Sequence, residues 1–139
     1  MQTAKIVPYI FFLLFLSCKQ EVTKADLANL SGYWEISYVI REDGTRKDYK
    51  VNETIDHFTV KGTAGFRRKM MPALDGSYFT SGDSEKFEVS FTNMQAVIHY
   101  QTPFSKRTEQ LKSLSAEELV VENNHITYHY KRPIPFTKK

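Results

Sequence analysis

The sequence predicts an all-β fold: an antiparallel up-and-down β-barrel preceded by a short N-terminal helical turn. Apolar and polar side chains alternate over many short segments, which is the period of strands buried on one face. Turn signals such as Asp43-Gly44 and Asn123-Asn124 separate these segments at regular spacing. No long helical pattern intervenes, which argues against a parallel α/β sheet.

The predicted elements follow one another in a simple order. A helical turn is expected over residues 23–30, with Thr23 as N-cap and Asp26 three residues later. The strictest alternation lies in Trp34-Ile36-Tyr38-Ile40, Phe87-Val89-Phe91 and Met94-Ala96-Ile98-Tyr100. Further strands are expected near residues 54–61, 66–71, 77–80, 106–114, 118–122 and 125–131. Roughly eight to ten strands result, and a barrel of about eight strands fills its interior with side chains or holds one small ligand.

The N-terminal segment has the composition of a secretory signal. Residues 1–5 carry one Lys and no acid, and residues 6–16 are apolar apart from Pro8 and the hydroxyl of Tyr9. This apolar run is too short to cross a bilayer as a stable helix, since about 20 residues are needed. Ser17 provides a small residue at the cleavage position, and the only cysteine of the chain, Cys18, follows directly.

With that cysteine in place, Phe15-Leu16-Ser17-Cys18 resembles the lipobox of a bacterial lipoprotein signal. The resemblance implies cleavage before Cys18 and acylation of its thiol and its new amino group, with chains such as palmitate. Several chains on one residue give a stable membrane anchor. The alternative is an ordinary signal peptide with an incidental cysteine.

The expected organisation is a signal peptide at residues 1–17, a lipidated tether at 18–26 and a barrel domain at 27–139. The expected location is the bacterial cell envelope, with Cys18 anchored in the outer membrane. The sequence leaves open whether the protein faces the periplasm or the outside.

The barrel itself resembles the lipocalin-like lipoproteins of Gram-negative envelopes. Gly32-Tyr33-Trp34 opens the first strand after a helical turn and matches the lipocalin G-x-W motif. The chain also ends on a hairpin of the expected kind, from Leu119-Val120-Val121 to Tyr128-His129-Tyr130. The resemblance implies that Gly32, Trp34 and a basic residue of the last strand, here Arg132, close the bottom of the barrel.

The composition excludes several other functions. The formal net charge of +3 gives no concentrated basic face, so no nucleic-acid partner is expected. Four histidines fall on the polar phases of their strands, and His125 and His129 would sit about 13 Å apart along one strand. We therefore expect no metal site and no cofactor. No nucleophile motif or phosphate-binding loop is present, so an enzyme is not expected.

The leading hypothesis is that the barrel binds a small apolar or amphipathic ligand. The alternative is a filled barrel that serves as a protein–protein interaction or structural module, with a partner that the sequence does not identify. A cavity of about 300 Å³ or more would favour ligand binding. The candidate ligand-binding residues are Tyr38, Phe58, Arg68, Phe87, Tyr100 and Tyr128.

Two segments keep alternatives open. In Arg67-Arg68-Lys69 one basic residue can point inward and bind a carboxylate or phosphate. It can equally lie at a solvated edge, or pair with Glu109 or Glu88 inside the barrel. The apolar stretch of residues 70–74 is interpreted as a packed loop, with a lid or a partner-binding edge as alternatives.

Overall fold

The computed structural model describes residues 21–134, the side chain of Ser81 excepted, and shows the all-β architecture expected from the sequence. Within this range the chain forms one 3-10 helix, Ala25–Leu30, and a nine-stranded antiparallel sheet. No helix in residues 21–134 is long and apolar enough to span a membrane. The strands are β1 (Gly32–Ile40), β2 (Arg46–Asp48), β3 (Ile55–Lys61), β4 (Ala64–Pro72), β5 (Tyr78–Thr92), β6 (Gln95–Gln101), β7 (Lys106–Leu114), β8 (Glu118–Asn123) and β9 (Ile126–Lys131).

The sheet closes on itself as an up-and-down barrel of β1 and β3 to β9. Each strand from β3 to β8 pairs with the next one along the chain, and β9 returns to β1, where Ile36 lies opposite Tyr130. The start of β1 pairs with β3, and its end pairs with the short β2. The predicted meander of hairpins is therefore confirmed.

Strand β5 differs from the prediction of two separate strands. It runs over 15 residues and pairs with β4 through Pro72–Tyr78 at one end and Ala64–Glu88 at the other. Its central residues, including Asp83 and Ser84, are exposed, so no face of this part carries an apolar pattern. Hydrogen bonding to β4 keeps it extended in spite of its polar sequence.

Other local differences are small. Lys24 takes the N-cap position expected for Thr23, whose hydroxyl instead donates to the Asp26 carboxylate at 2.7 Å. The exposed strand β2 carries no alternation and was not expected. The last hairpin turns at Asn124 and His125, one residue later than expected, and both have positive φ, as a two-residue turn of this kind requires.

A β-bulge in β1 decides which side chains enter the barrel. The register with β9 shifts between Ile36 and Tyr38, so Ile36 lies opposite Tyr130 but Val39 lies opposite Tyr128. An extra residue in one strand moves the following side chains to the other face. Val39 is consequently buried inside, and Tyr38 points outward.

One end of the barrel, here called the closed end, is sealed by the 3-10 helix and by the start of β1. Leu27 and Leu30 of the helix are fully buried in the core. Trp34 is also fully buried, and its indole Nε1 donates to the carbonyl of Leu30 at 2.8 Å. The opposite end, here called the mouth, carries the β6–β7 and β8–β9 connections.

Arg132 completes this seal. Its guanidinium carbon lies 3.6 Å from the centroid of the Trp34 ring. The same group donates to four backbone carbonyls, those of Asn29, Ser31, Tyr33 and Ala116. Gly32 has φ +109°, and a Cβ there would lie 2.9 Å from Arg132 Nη1, so this position requires glycine.

The predicted signal at residues 1–17, Cys18 and the last five residues lie outside the described residues. The structure does describe the end of the predicted tether. Val22 packs against the core, and the 3-10 helix already begins at Ala25.

Candidate functional site

A buried arginine lies at the centre of the barrel interior. Arg67 of β4 is only 6% exposed, and its Nε and Nη2 donate to the two carboxylate oxygens of Asp56 at 3.0 and 2.9 Å. Its Nη1 donates to both oxygens of Glu109, each at 3.3 Å. The hydroxyls of Tyr100 and Tyr130 accept from the same guanidinium at 3.3 Å. Every nitrogen of this side chain therefore has a protein partner.

Asp56 of β3 is a buried carboxylate that pairs with Arg67. Burial alone would raise its pKa, but the charges and hydrogen bonds of Arg67 and Lys69 hold the pKa below its ordinary value. Lys69 Nζ lies 2.8 Å from the carboxylate, and the Lys69 side chain is about half exposed. Asp56 thus stays ionised between a buried and a half-exposed cation.

The network continues through Glu109 of β7. The Tyr100 hydroxyl donates to Glu109 at 2.9 Å, and Arg107 Nη1 donates to the same carboxylate at 2.6 Å. Arg107 also forms a two-point ion pair with Glu85 of β5 and lies over the Tyr100 ring, 3.9 Å from its centroid. Burial raises the pKa of the Tyr100 and Tyr130 hydroxyls, which therefore stay protonated, and Tyr100 can donate to Glu109.

The charges of this interior network balance. Three cations face three anions, and the members are Arg67, Lys69, Arg107, Asp56, Glu85 and Glu109. Within this network Arg67 has little attraction left for an anionic ligand, because each nitrogen of its guanidinium is already hydrogen-bonded. It fills part of the volume that a ligand would need.

A pocket of about 370 Å³ remains beside this network, here called the loop pocket. Trp34 and Ile36 of β1 form one wall, and Asp56 and Lys69 form another. The loop of residues 49–54 covers it and is tied to β1, because Asn52 Nδ2 donates to the carbonyl of Ile36 at 2.9 Å. The loop pocket therefore combines an apolar wall with an ion pair.

A second cleft, of about 570 Å³, runs along β4 to β7 among mainly exposed polar side chains. Its rim carries Lys86, Glu88, His99, Gln101 and Lys106. These residues are of mixed charge and are exposed to solvent. The cleft is wide and does not bring ionisable groups together in a buried site.

Four of the six candidate ligand-binding residues lie inside the barrel. Phe58, Phe87 and Tyr100 are buried in the core, and Tyr128 packs against it. Phe58 and Phe87 meet edge to face with ring centroids 5.8 Å apart. These aromatic residues fill the core, and the loop pocket is lined by others.

The other two candidates do not point into the barrel, which corrects their placement. Tyr38 lies outside because of the bulge in β1, stacked on His129 with ring centroids 4.1 Å apart. Arg68 is exposed, whereas its neighbour Arg67 is buried. Both faces of β4 carry basic residues, so alternation alone could not decide between them. The alternative of an arginine paired with Glu109 inside the barrel is confirmed, with Arg67 as that arginine.

Sequence reasoning missed Asp56 and Lys69 as parts of the interior. The available signal was a carboxylate at Asp56 within an apolar strand, next to Ile55 and two residues before Phe58. Among the described residues, no group of three or more His, Cys, Asp or Glu could hold a metal ion.

The geometry defines a class of protein, namely a small closed antiparallel barrel. One end is sealed by a helix and by a tryptophan that an arginine covers, and the loop pocket lies next to the buried ion-pair network. The family model for the lipocalin-like domain matches residues 30–121 of this sequence. The chain therefore belongs to the lipocalin-like domain family.

Two solved structures are similar to this chain. A lipocalin-like protein from Bacteroides uniformis shares 15% identity at a TM-score of 0.47, over 75% of this chain and 98% of that one. An uncharacterized protein from Bacteroides eggerthii shares 11% identity at a TM-score of 0.48, over 74% of this chain and 98% of that one. Comparison with curated proteins gives no match.

Proposed function

We propose that this protein is a lipid-anchored lipoprotein of the bacterial envelope that binds a small amphipathic ligand in the loop pocket. The observation that carries the proposal is the pocket of about 370 Å³ with an apolar wall of Trp34 and Ile36 opposite the Asp56–Lys69 pair. Its volume falls in the range of about 300–1,000 Å³ that is typical of small-molecule sites.

The chemistry of the walls supports an amphipathic ligand. An alkyl or ring moiety would displace water from Ile36, which is only partly buried, beside the fully buried Trp34. An acidic head group would approach Lys69, whose half-exposed ammonium already faces a carboxylate. Arg67 would stay with its own partners, because every nitrogen of its guanidinium is already hydrogen-bonded.

A titration with a medium-chain fatty acid tests this function. The probe is dodecanoic acid, added to residues 19–139 and followed by the fluorescence of Trp34, the only tryptophan of the chain. We expect a saturable change, and a bound mass in native mass spectrometry that disappears on denaturation. A bare polypeptide with no saturable fluorescence change would reject the ligand-binding hypothesis.

The matched variants are Lys69→Met in the pocket and Lys61→Met, an exposed lysine at the end of β3. Loss of the pocket cation is expected to weaken binding of the acid about tenfold, equivalent to about 1.4 kcal/mol. Binding of dodecanol, which carries no charge, should change little in either variant. Equal weakening by both substitutions would show that the acid binds elsewhere.

The alternative function is a protein–protein interaction module, and one observation favours it. Part of the barrel interior is filled by the ion-pair network around Arg67. In addition, the β4–β5 hairpin exposes Met71, Leu74 and Phe79. Large exposed apolar groups on one hairpin are typical of a contact surface. Under this alternative, dodecanoic acid would not bind and Leu74→Ser would release a partner.

The membrane anchor is tested separately at Cys18. The Cys18→Ser variant is expected to leave the membrane fraction and to lose labelling by radioactive palmitate. A variant that keeps the label would contradict lipidation at Cys18, and a variant that loses the label but stays membrane-bound would show that the acyl chains are not the anchor. A single acyl chain would bind the membrane only marginally, so stable anchoring requires the several chains expected on Cys18.

A further inference from the structure

The described chain begins at the closed end of the barrel. Glu21 and Val22 lie in a depression that also contains Met94, Ala96 and Leu111. Val22 packs against the core. The N-terminal end of the described segment is thus held against the side of the barrel opposite the mouth.

The proposed anchor is very close to this point along the chain. Cys18 precedes Glu21 by three residues, and consecutive Cα atoms are about 3.8 Å apart, so the two Cα atoms are separated by at most about 11 Å. A lipid chain attached to Cys18 therefore holds the closed end near the bilayer surface. Too little chain lies between them for the barrel to turn over freely.

The closed end carries exposed apolar side chains beside this attachment point. Met94 lies in the two-residue β5–β6 turn with φ 61° and is 78% exposed. Such turns favour Asn and Gly, so a methionine at the second position is unusual. Phe91, which pairs with Ala96 in the same hairpin, is also exposed.

We propose that the closed end of the barrel lies on the bilayer surface, with Met94 and Phe91 in the interfacial region and the mouth facing the aqueous compartment. The inference rests on the proposed lipid anchor at Cys18. Apolar side chains inserted at headgroup depth add to the binding that acyl chains provide. The partner of this surface is the lipid bilayer itself.

The orientation has a consequence for the ligand. Strand β6, with seven residues, spans roughly 20 Å at about 3.3 Å per residue, so the connection at its far end stands clear of the headgroups. A ligand that enters through the mouth would come from the aqueous phase or from a soluble carrier. Direct transfer from the membrane that anchors the protein would need the opposite orientation.

The test uses two matched turn residues at opposite ends of β6. Met94→Cys and Phe104→Cys each replace an exposed apolar residue, 78% and 97% exposed, in the full-length acylated protein. Because Cys18 is acylated, the introduced thiol is the one available to a fluorescent nitrobenzoxadiazole label. The labelled protein is placed in vesicles of phosphatidylethanolamine and phosphatidylglycerol that contain a shallow spin-labelled lipid.

The label at Met94 is expected to be quenched several-fold more strongly than the label at Phe104. Stronger quenching at Phe104, or equal quenching at both, would overturn the orientation. Absence of quenching at both positions would show that the closed end does not touch the bilayer, which also overturns it.

The intact mass of the same sample shows whether Cys18 is acylated, and so distinguishes a wrong orientation from the absence of the lipid anchor. An acylated protein without quenching at Met94 contradicts the orientation alone. A mass without acyl chains shows that the anchor itself is wrong, and the orientation then falls with it. Dodecanoic acid binding to residues 19–139 is measured without any membrane and is independent of both results.

Discussion

The two halves of the barrel interior are filled in different ways. Toward the closed end the interior is apolar, with Leu27, Leu30 and Trp34 fully buried. Next to this apolar part, the interior holds the balanced network around Arg67, in which Asp56 and Glu109 are also buried. One small barrel therefore combines a hydrocarbon-like core with a charged one.

The difference has energetic meaning. Burial of a large apolar side chain stabilises a fold by about 1.5–3 kcal/mol. A buried ion pair contributes much less, because desolvation offsets most of the attraction, although breaking it is costly. Burial of apolar surface therefore stabilises the closed half, while the charged half fixes the positions of the groups beside the loop pocket.

The largest expected effect is in the closed half. Trp34→Ala should lower the free energy of unfolding by about 3–5 kcal/mol, because it leaves a cavity under Arg132 and removes the cation–π contact. Urea denaturation measures the change. The exposed Phe104→Ala serves as control and should change stability by less than about 0.5 kcal/mol. Equal small effects would show that the closed end is not a stabilising core.

The next effect tests the charged half. Arg67→Met should lower the free energy of unfolding by about 3 kcal/mol, because two buried carboxylates lose their common partner. Arg68→Met, at the exposed neighbouring position, should stay within about 0.5 kcal/mol of the wild type. A stable Arg67→Met variant would mean that the two carboxylates find other partners at little cost, and that the network matters less than its geometry suggests.

A smaller effect is expected at the boundary of the closed end. Arg132→Lys keeps a positive charge near Trp34 but removes the guanidinium group that donates hydrogen bonds to four backbone carbonyls. The expected loss is about 1–2 kcal/mol in thermal or urea unfolding. Lys131→Arg, at the exposed position before it, is the matched control. A loss no greater than that of the control would show that charge alone seals the barrel.

The subtlest prediction concerns pH. The pKa of Asp56 is lower in the folded state than in the unfolded state, so its contribution to stability is complete above the unfolded pKa of about 3.9. That contribution is lost as the pH falls through the folded pKa. The stability gap between wild type and Asp56→Asn should therefore be widest above about pH 4 and narrow in more acidic solution. Glu53→Gln, in the exposed part of the loop, should run parallel to the wild type, and a constant gap for Asp56→Asn would contradict the proposed ionisation.

The strand pattern was enough to predict the antiparallel barrel, and the resemblance to lipocalin-like lipoproteins implied the Trp34–Arg132 pair. Alternation placed Phe87 and Tyr100 in the core because their neighbours on the same face, Val89 and Ile98, are apolar. It also placed Phe58 there, although Asp56 shares its face. It failed for Tyr38, because a bulge reverses the phase of the residues that follow it. It could not choose between Arg67 and Arg68, because both faces of β4 carry a cation and burial depends on partners from β3 and β7.

The sequence by itself determined the local features of this protein: the half-buried strands, the turns that join them and the helical turn before Gly32. These follow from side-chain period and backbone preference, which act over a few residues. The tertiary structure alone decided that Asp56, Arg67 and Glu109 meet, that loop 49–54 covers a pocket and that Val22 and Met94 share one end. Those contacts join residues far apart in the chain, and the register and shear of the closed barrel bring them together.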